Sequence, residues 1–166
     1  MSRSTLLAMR AFGLVVLLAA AEEAVAQIDC SAPILKVLSN NQEIPATGSV
    51  LTPQITLRVT SPDDCSEQVH YRFRNALMTL VRRGRPVIPS SIVNQSNVNL
   101  AQWMKYCQPG DRITLFISYH DIAIVKANGS LQPYAQPKPE DLKGQKFDIR
   151  TEQAKGISFT WPLLKP

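Results

Sequence analysis

The chain has 166 residues, a net charge of +5 and 45% hydrophobic residues, a composition typical of a folded domain. Its lysines are scattered and are not interleaved with aromatic residues, which disfavours nucleic-acid binding. No apolar stretch after the N-terminal region is long enough to span a membrane, so we expect one domain and no membrane span beyond that region.

Residues 1–26 have the pattern of a cleavable secretory signal peptide. Positive charges at the start precede an uninterrupted apolar run over residues 11–21, which is too short to cross a bilayer. Ala24 and Ala26 supply the small side chains that signal peptidase requires before its cleavage site. We therefore expect a mature domain of residues 27–166 in an extracytoplasmic location: the periplasm, the cell surface or the medium.

The first half of the mature chain shows strand patterns. Apolar and polar residues alternate over residues 54–60 and 69–73, as in half-buried strands, and a first strand is expected at residues 34–38. From Asn75 onward apolar residues face both sides, and we expect the second of these strands to continue to Val81, with a bulge or cover on both faces.

A polar turn is expected at residues 82–86, and the proline-containing segment 86–97 is predicted to be a loop or an irregular edge. A short helix follows, capped by Asn97 or Asn99. Four apolar residues at helical spacing would share one face of it: Leu100, Trp103, Met104 and Cys107.

The second half adds three strand patterns, at residues 113–119, 122–126 and 157–161. Asn128-Gly129 is a hairpin-turn signal, and residues 133–140 are expected to form a surface excursion because they contain three prolines. About seven short strands with one short helix predict a mainly β fold, a single antiparallel, Ig-like β-sandwich.

Three cysteines and an exported location favour one disulfide and one odd thiol. If the first two strands are antiparallel, Cys30 and Cys65 lie at the same end of the sheet, and we predict that they pair. Closing that loop would stabilise the fold by roughly 3 to 4 kcal/mol, with Cys107 as a buried thiol. A lipid anchor on Cys30 is disfavoured because small residues do not precede it. No Cys or His pair has metal-ligand spacing, so we expect no metal and no cofactor.

The chain contains two histidines, His70 and His120, and neither lies in a catalytic motif. His120 precedes Asp121, which could orient a base, but no serine or cysteine stands in a nucleophile elbow. We therefore expect no catalytic residues.

The densest functional signal is a group of arginines on one predicted strand and its turn. Arginine side chains bind carboxylates, phosphates and aromatic faces. One interpretation is a binding patch for an acidic envelope or extracellular protein, and the other is an edge strand protected by charge. The group consists of Arg72, Arg74, Arg82, Arg83 and Arg85.

Three segments resemble a known family: residues 77–85, residues 107–117 with Pro109-Gly110-Asp111-Arg112, and residues 156–159. They are similar to the C-terminal periplasmic domain of the gliding-motility and type IX secretion proteins of the GldM type. The resemblance implies a β-rich, non-enzymatic role in envelope machinery. This chain differs from that family in its cleavable signal, its single domain and its three cysteines.

Two functional hypotheses follow. The first is an exported, non-enzymatic interaction or structural module of the envelope that binds another protein and is related to gliding-motility or secretion machinery. The second is a small secreted enzyme or ligand-binding protein on the same scaffold. A deep pocket at His120 and Asp121 would favour the second, and an exposed arginine-rich surface would favour the first.

Overall fold

The computed structural model describes residues 32–63, 65, 69–135 and 155–165. Their strands are β1 (Ile34–Ser39), β2 (Gln42–Glu43), β3 (Gln54–Thr60), β4 (His70–Phe73), β5 (Ala76–Arg82), β6 (Arg85–Pro86), β7 (Ser91–Val93), β8 (Asn97–Asn99), β9 (Arg112–Ser118), β10 (Ile122–Val125), β11 (Leu131–Pro133) and β12 (Gly156–Pro162). A short helix, α1 (Ala101–Met104), precedes β9, and a 3-10 turn (Tyr119–Asp121) precedes β10.

The strands form two antiparallel sheets. The larger has the order β11-β10-β4-β3-β1-β2, with β8 also paired to β3, and the smaller has the order β12-β9-β5-β6, with β7 also paired to β5. Seven of the strands have four residues or more, and the other five have two or three. Two antiparallel sheets with one short helix confirm the predicted fold class, a mainly β chain consistent with a β-sandwich.

The core is made by the inward-facing residues of both sheets. In β3 and β9 every second side chain is buried, so each sheet has one apolar face and one outer face. The buried side chains of the two sheets belong to one cluster, which includes Leu57, Leu115 and Trp161. Burial of each such side chain contributes about 1.5 to 3 kcal/mol, so this cluster is the main source of the fold's stability.

The predicted continuous strand from residue 69 to Val81 is wrong. β4 lies in the larger sheet and β5 lies in the smaller one, so the chain passes between sheets at Arg74 and Asn75. The Asn75 amide donates a hydrogen bond to the Asp121 carboxylate (3.0 Å), which fixes this crossing point. The doubly apolar pattern after Asn75 lies within β5, where Ala76, Met78 and Leu80 are buried while Leu77 on the outer face is 42% exposed.

The predicted helix is real but shorter than its apolar pattern indicates. Leu100 and Trp103 are buried, whereas Met104 is 44% exposed and Cys107 is half-buried, because α1 ends after one turn. Asn99, not Asn97, accepts a hydrogen bond from the first helical amide, that of Ala101 (2.8 Å). The segment 86–97, predicted as a loop or an irregular edge, contains the three-residue strand β7, which among the described strands pairs only with β5, and begins β8.

The turn predictions are confirmed. Arg83 and Gly84 connect β5 to β6 with φ angles of 49° and 80°, the left-handed values that a two-residue hairpin turn requires. Asn128 and Gly129 connect β10 to β11, where the Gly129 amide donates to the Lys126 carbonyl (2.8 Å).

β1 and β3 are antiparallel, with Ile34 opposite Thr60, so the start of β1 and the end of β3 lie at one end of the sheet. This is the geometry on which the disulfide prediction depends. Cys30 lies outside the described residues, so the Cys30–Cys65 pairing stays a prediction. Cys107 is a free, half-buried thiol. The signal peptide of residues 1–26 also lies outside the described residues.

Candidate functional site

A cleft opens in the larger sheet because two strands share one edge of β3. β8 pairs with β3 over Gln54–Thr56, and the Leu57 amide donates to the Ser96 carbonyl (2.8 Å). β4 therefore pairs with β3 only where Thr60 faces His70. Between these contacts lies an open cleft of about 450 Å³, lined by residues 56–59, 71–73 and 94–96. We call it the basic cleft.

One end of the basic cleft is closed by a side-chain bridge. The Ser61 hydroxyl accepts a hydrogen bond from the Val69 amide (2.8 Å) and donates to the Val69 carbonyl (3.2 Å). Ser61 is itself buried. The bridge joins the end of β3 to the start of β4 and fixes the two strands where the cleft begins.

Arg58 of β3 and Arg72 of β4 give the basic cleft its charge. Both side chains are exposed on the outer face of the sheet, between neighbours that are buried or half-buried. Within the described part of the chain, the side chain of neither arginine has a hydrogen bond or an ion pair. Both guanidinium groups are available to a ligand.

The neighbouring positive charge on this outer face is already compensated. Lys36 of β1 lies opposite Arg58, and its ammonium group is 3.3 Å from the Glu43 carboxylate. On the outer face of β1, β3 and β4, the positive charge without a carboxylate partner is therefore concentrated at the basic cleft.

Three tyrosines pack at the side of the cleft formed by β4. The Tyr71 and Tyr134 rings are 6.0 Å apart and meet edge to face, and the Tyr119 and Tyr134 rings are 5.4 Å apart. Burial raises the pKa of all three hydroxyls, and at Tyr71 a hydrogen bond with Ser61 partly offsets this effect. Tyr71 therefore stays neutral at physiological pH and gives the cleft a rigid aromatic wall.

Arg82, which the sequence placed in the binding patch, is committed to an internal ion pair. Its Nε and Nη2 atoms donate to the two carboxylate oxygens of Asp111 at 2.7 and 2.8 Å, and Nη2 also donates to the Tyr106 carbonyl (2.8 Å). Asp111 is 2% exposed and also accepts the Gln108 amide (2.8 Å). The Arg82 guanidinium lowers the pKa of Asp111, so this pair is ionised and joins β5 to the segment between α1 and β9.

The other four predicted arginines take no part in this ion pair, although Arg83 and Arg85 line the same groove as Arg82. Arg72 lines the basic cleft. Arg74 is exposed where the chain leaves β4, and its backbone amide donates a hydrogen bond to the Asp121 carbonyl (2.8 Å). Arg83 and Arg85 are exposed at the tip of the β5–β6 hairpin, in a shallow groove with Pro86. The structure thus divides the predicted patch between two sheets.

The residues that catalysis or metal binding would require are dispersed. His70 is exposed on β4 and His120 is exposed in the 3-10 turn. No group of three His, Cys, Asp or Glu residues that could hold a metal occurs in the described ranges. Burial, followed by the neighbouring Asp111, raises the pKa of the Cys107 thiol, so this cysteine is a poor nucleophile.

Arg58 is the functional candidate that sequence reasoning missed. It occupies the outward position of a strand whose alternation was recognised, and that position was the available signal. Its pairing with Arg72 across a cleft depends on β8 displacing β4 from the edge of β3, which no local pattern shows.

Comparisons with protein-family models, with curated proteins and with solved structures find no match for this chain. The relation to GldM-type domains therefore stays a prediction. In the described part of the chain, no helix has the length and apolar character that a membrane crossing requires.

Proposed function

We propose that this chain is an exported, non-enzymatic interaction module that binds an acidic protein of the envelope or the extracellular space through its basic cleft. The observation that carries the proposal is the pair of exposed arginines without carboxylate partners, at a cleft of about 450 Å³. Uncompensated positive charge at a surface concavity attracts acidic partners and accelerates their association.

The distribution of charge over the two outer faces supports the same proposal. On the outer face of the smaller sheet, side chains in register across neighbouring strands form rows. One row consists of Ile92, Leu77, Phe116 and Ser158. The next row consists of Ser90, Thr79, Thr114 and Thr160. These two rows carry no charge, and the exposed cations of the smaller sheet, Arg83, Arg85 and Arg112, lie at its end next to the β5–β6 hairpin, so the middle of this face offers an acidic partner no positive group. The signal-peptide pattern of residues 1–26 supports an encounter outside the cytoplasm.

A photo-crosslinking amino acid at Gln95, at the rim of the basic cleft, tests this proposal in the source cells. We expect a specific crosslink to an acidic protein, and we expect the purified pair to bind more weakly at high salt. The same crosslinker at Ser158, exposed on the opposite outer face, is the control. Equal crosslinking from both positions, or salt-independent binding, would contradict the proposal.

Export is tested separately by N-terminal sequencing of the accumulated protein. The expected first residue is Gln27, because Ala24 and Ala26 define the cleavage site. A cytoplasmic protein that retains residues 1–26 would contradict the extracytoplasmic part of the proposal.

A further inference from the structure

The strand register places Arg58 and Arg72 at corresponding positions on the two sides of the basic cleft. Thr60 lies opposite His70, and two steps along each antiparallel strand lead to Arg58 on one side and Arg72 on the other. Both residues line the same cleft at the point where the strands have separated. The two like charges on one cleft have no carboxylate partner, so they repel each other in the isolated protein.

Resting on the proposed function, we infer that the basic cleft takes a single carboxylate, that of an Asp or Glu side chain in an extended segment of the protein partner, and holds it between Arg58 and Arg72. A guanidinium group presents two parallel N–H donors that match the two oxygens of a carboxylate. One carboxylate between the two arginines relieves their repulsion and fills the gap that the interrupted β3–β4 ladder leaves.

The surroundings of the arginines favour a peptide over other anionic ligands. Thr56 donates to the Asn97 side-chain oxygen (3.0 Å), and among the described residues the Asn97 amino group has no partner. Asn94 and Gln95 add exposed amides at the cleft rim. Amide groups of this kind pair with peptide N–H and C=O groups, whereas an anionic membrane favours charge spread over a wide surface. Here Glu43 cancels the adjacent charge of Lys36.

Nuclear magnetic resonance of the arginine Nε–H groups in the mature chain gives a direct test. The probe is the peptide acetyl-Gly-Ser-Glu-Ser-Gly-amide, and its control is the same peptide with Gln in place of Glu. We expect the Glu peptide to shift the Arg58 and Arg72 signals while the Gln peptide leaves them unchanged. Inorganic phosphate and vesicles of anionic phospholipid are separate arms, expected to bind more weakly than the peptide.

Two double variants with equal loss of charge complete the test. Arg58→Ser with Arg72→Ser should weaken binding of the Glu peptide by about tenfold or more, because hydrogen bonds to a charged group are lost. Arg83→Ser with Arg85→Ser removes the same charge from the hairpin tip and should leave binding within about twofold, since those residues lie on the other sheet. Arg58→Lys with Arg72→Lys keeps the charge and should recover only part of the affinity.

The inference is overturned if the Gln peptide shifts the same signals, if the two double serine variants lose affinity equally, or if phosphate or vesicles bind more tightly than the peptide. These outcomes are separate from failure of the proposed function. A partner that crosslinks at Gln95 yet binds the Arg58→Ser, Arg72→Ser variant normally would leave the interaction module standing and remove the carboxylate site. Peptide binding without any crosslinked protein partner would leave the carboxylate site standing and remove the interaction module.

Discussion

Arg82 and Arg72 belong to one stretch of sequence and have the same chemistry, yet the structure gives them opposite surroundings. Arg82 donates two hydrogen bonds to a carboxylate that is 2% exposed, and its charge is used inside the fold. Arg72 is exposed on the outer face of the other sheet, across a cleft from a second arginine. Arg82 therefore stabilises the fold through an ion pair, whereas the Arg72 side chain is available for binding.

The difference depends on where a carboxylate lies in three dimensions. Four carboxylates occur among the described residues, namely Glu43, Asp63, Asp111 and Asp121, and two of them form ion pairs. None pairs with an arginine of the basic cleft. An arginine becomes structural or functional according to the partner that the fold supplies, which is why a cluster of arginines in sequence is weak evidence for one surface.

The largest expected effect is loss of the core that supports both regions. Trp161 is 1% exposed, and it lies in β12 opposite Ile113. Trp161→Ala should lower the free energy of unfolding by about 3 to 5 kcal/mol, because it removes a buried ring and leaves a cavity. Chemical denaturation measures this loss. Leu164→Ala, at a residue that is 48% exposed, is the control, and equal midpoints for the two variants would show that β12 is not a core strand.

A smaller but clear loss of stability is expected when the ion pair is broken. Asp111→Asn keeps the size of the side chain but removes the charge that Arg82 pairs with in a buried position. The melting temperature should fall less than for Trp161→Ala and more than for Arg83→Ser, an exposed turn residue. Binding of the Glu peptide should not change. A melting temperature equal to that of Arg83→Ser would show that the pair contributes nothing to the fold.

The same ion pair predicts a dependence of stability on acid. Arg82 lowers the pKa of Asp111 from its ordinary value of 3.8, so the folded state favours the ionised carboxylate. This stabilisation is fully present above that ordinary value and is lost as the pH falls through the lowered pKa. Denaturation of the wild type below pH 3.8 should therefore show a decline that is shallower in Asp111→Asn. Parallel pH profiles would argue that Asp111 is not the group responsible.

The smallest effect on stability is expected at the basic cleft. Arg58→Ser with Arg72→Ser should change the free energy of unfolding by about 0.5 kcal/mol or less, and relief of like-charge repulsion favours a slight gain. Thermal melting at low and high salt measures this, and any gain should shrink at high salt because the repulsion is screened. A marked loss of stability would mean that the cleft arginines are structural after all, and the contrast with Arg82 would disappear.

Local patterns predicted much of the fold, including β3 with its bounds, the Arg83-Gly84 and Asn128-Gly129 turns and the buried Trp161. Alternation with a period of two follows directly from strand geometry, and left-handed turn positions favour glycine or asparagine, as Gly84 shows beside Arg83. Such features depend on neighbours in sequence, so a single chain is sufficient to identify them.

Local sequence patterns therefore establish a mainly β fold, most of its strands and turns, and an arginine-rich region. Three features depend on the packed molecule: β4 and β5 belong to different sheets, Asp111 pairs with Arg82, and Arg58 and Arg72 line one cleft. The two groups differ in the distance over which the interactions act along the chain. Periodicity and turn chemistry act over a few residues, whereas ion pairs and sheet edges join residues distant in the chain, and their partners are fixed only when the two sheets pack.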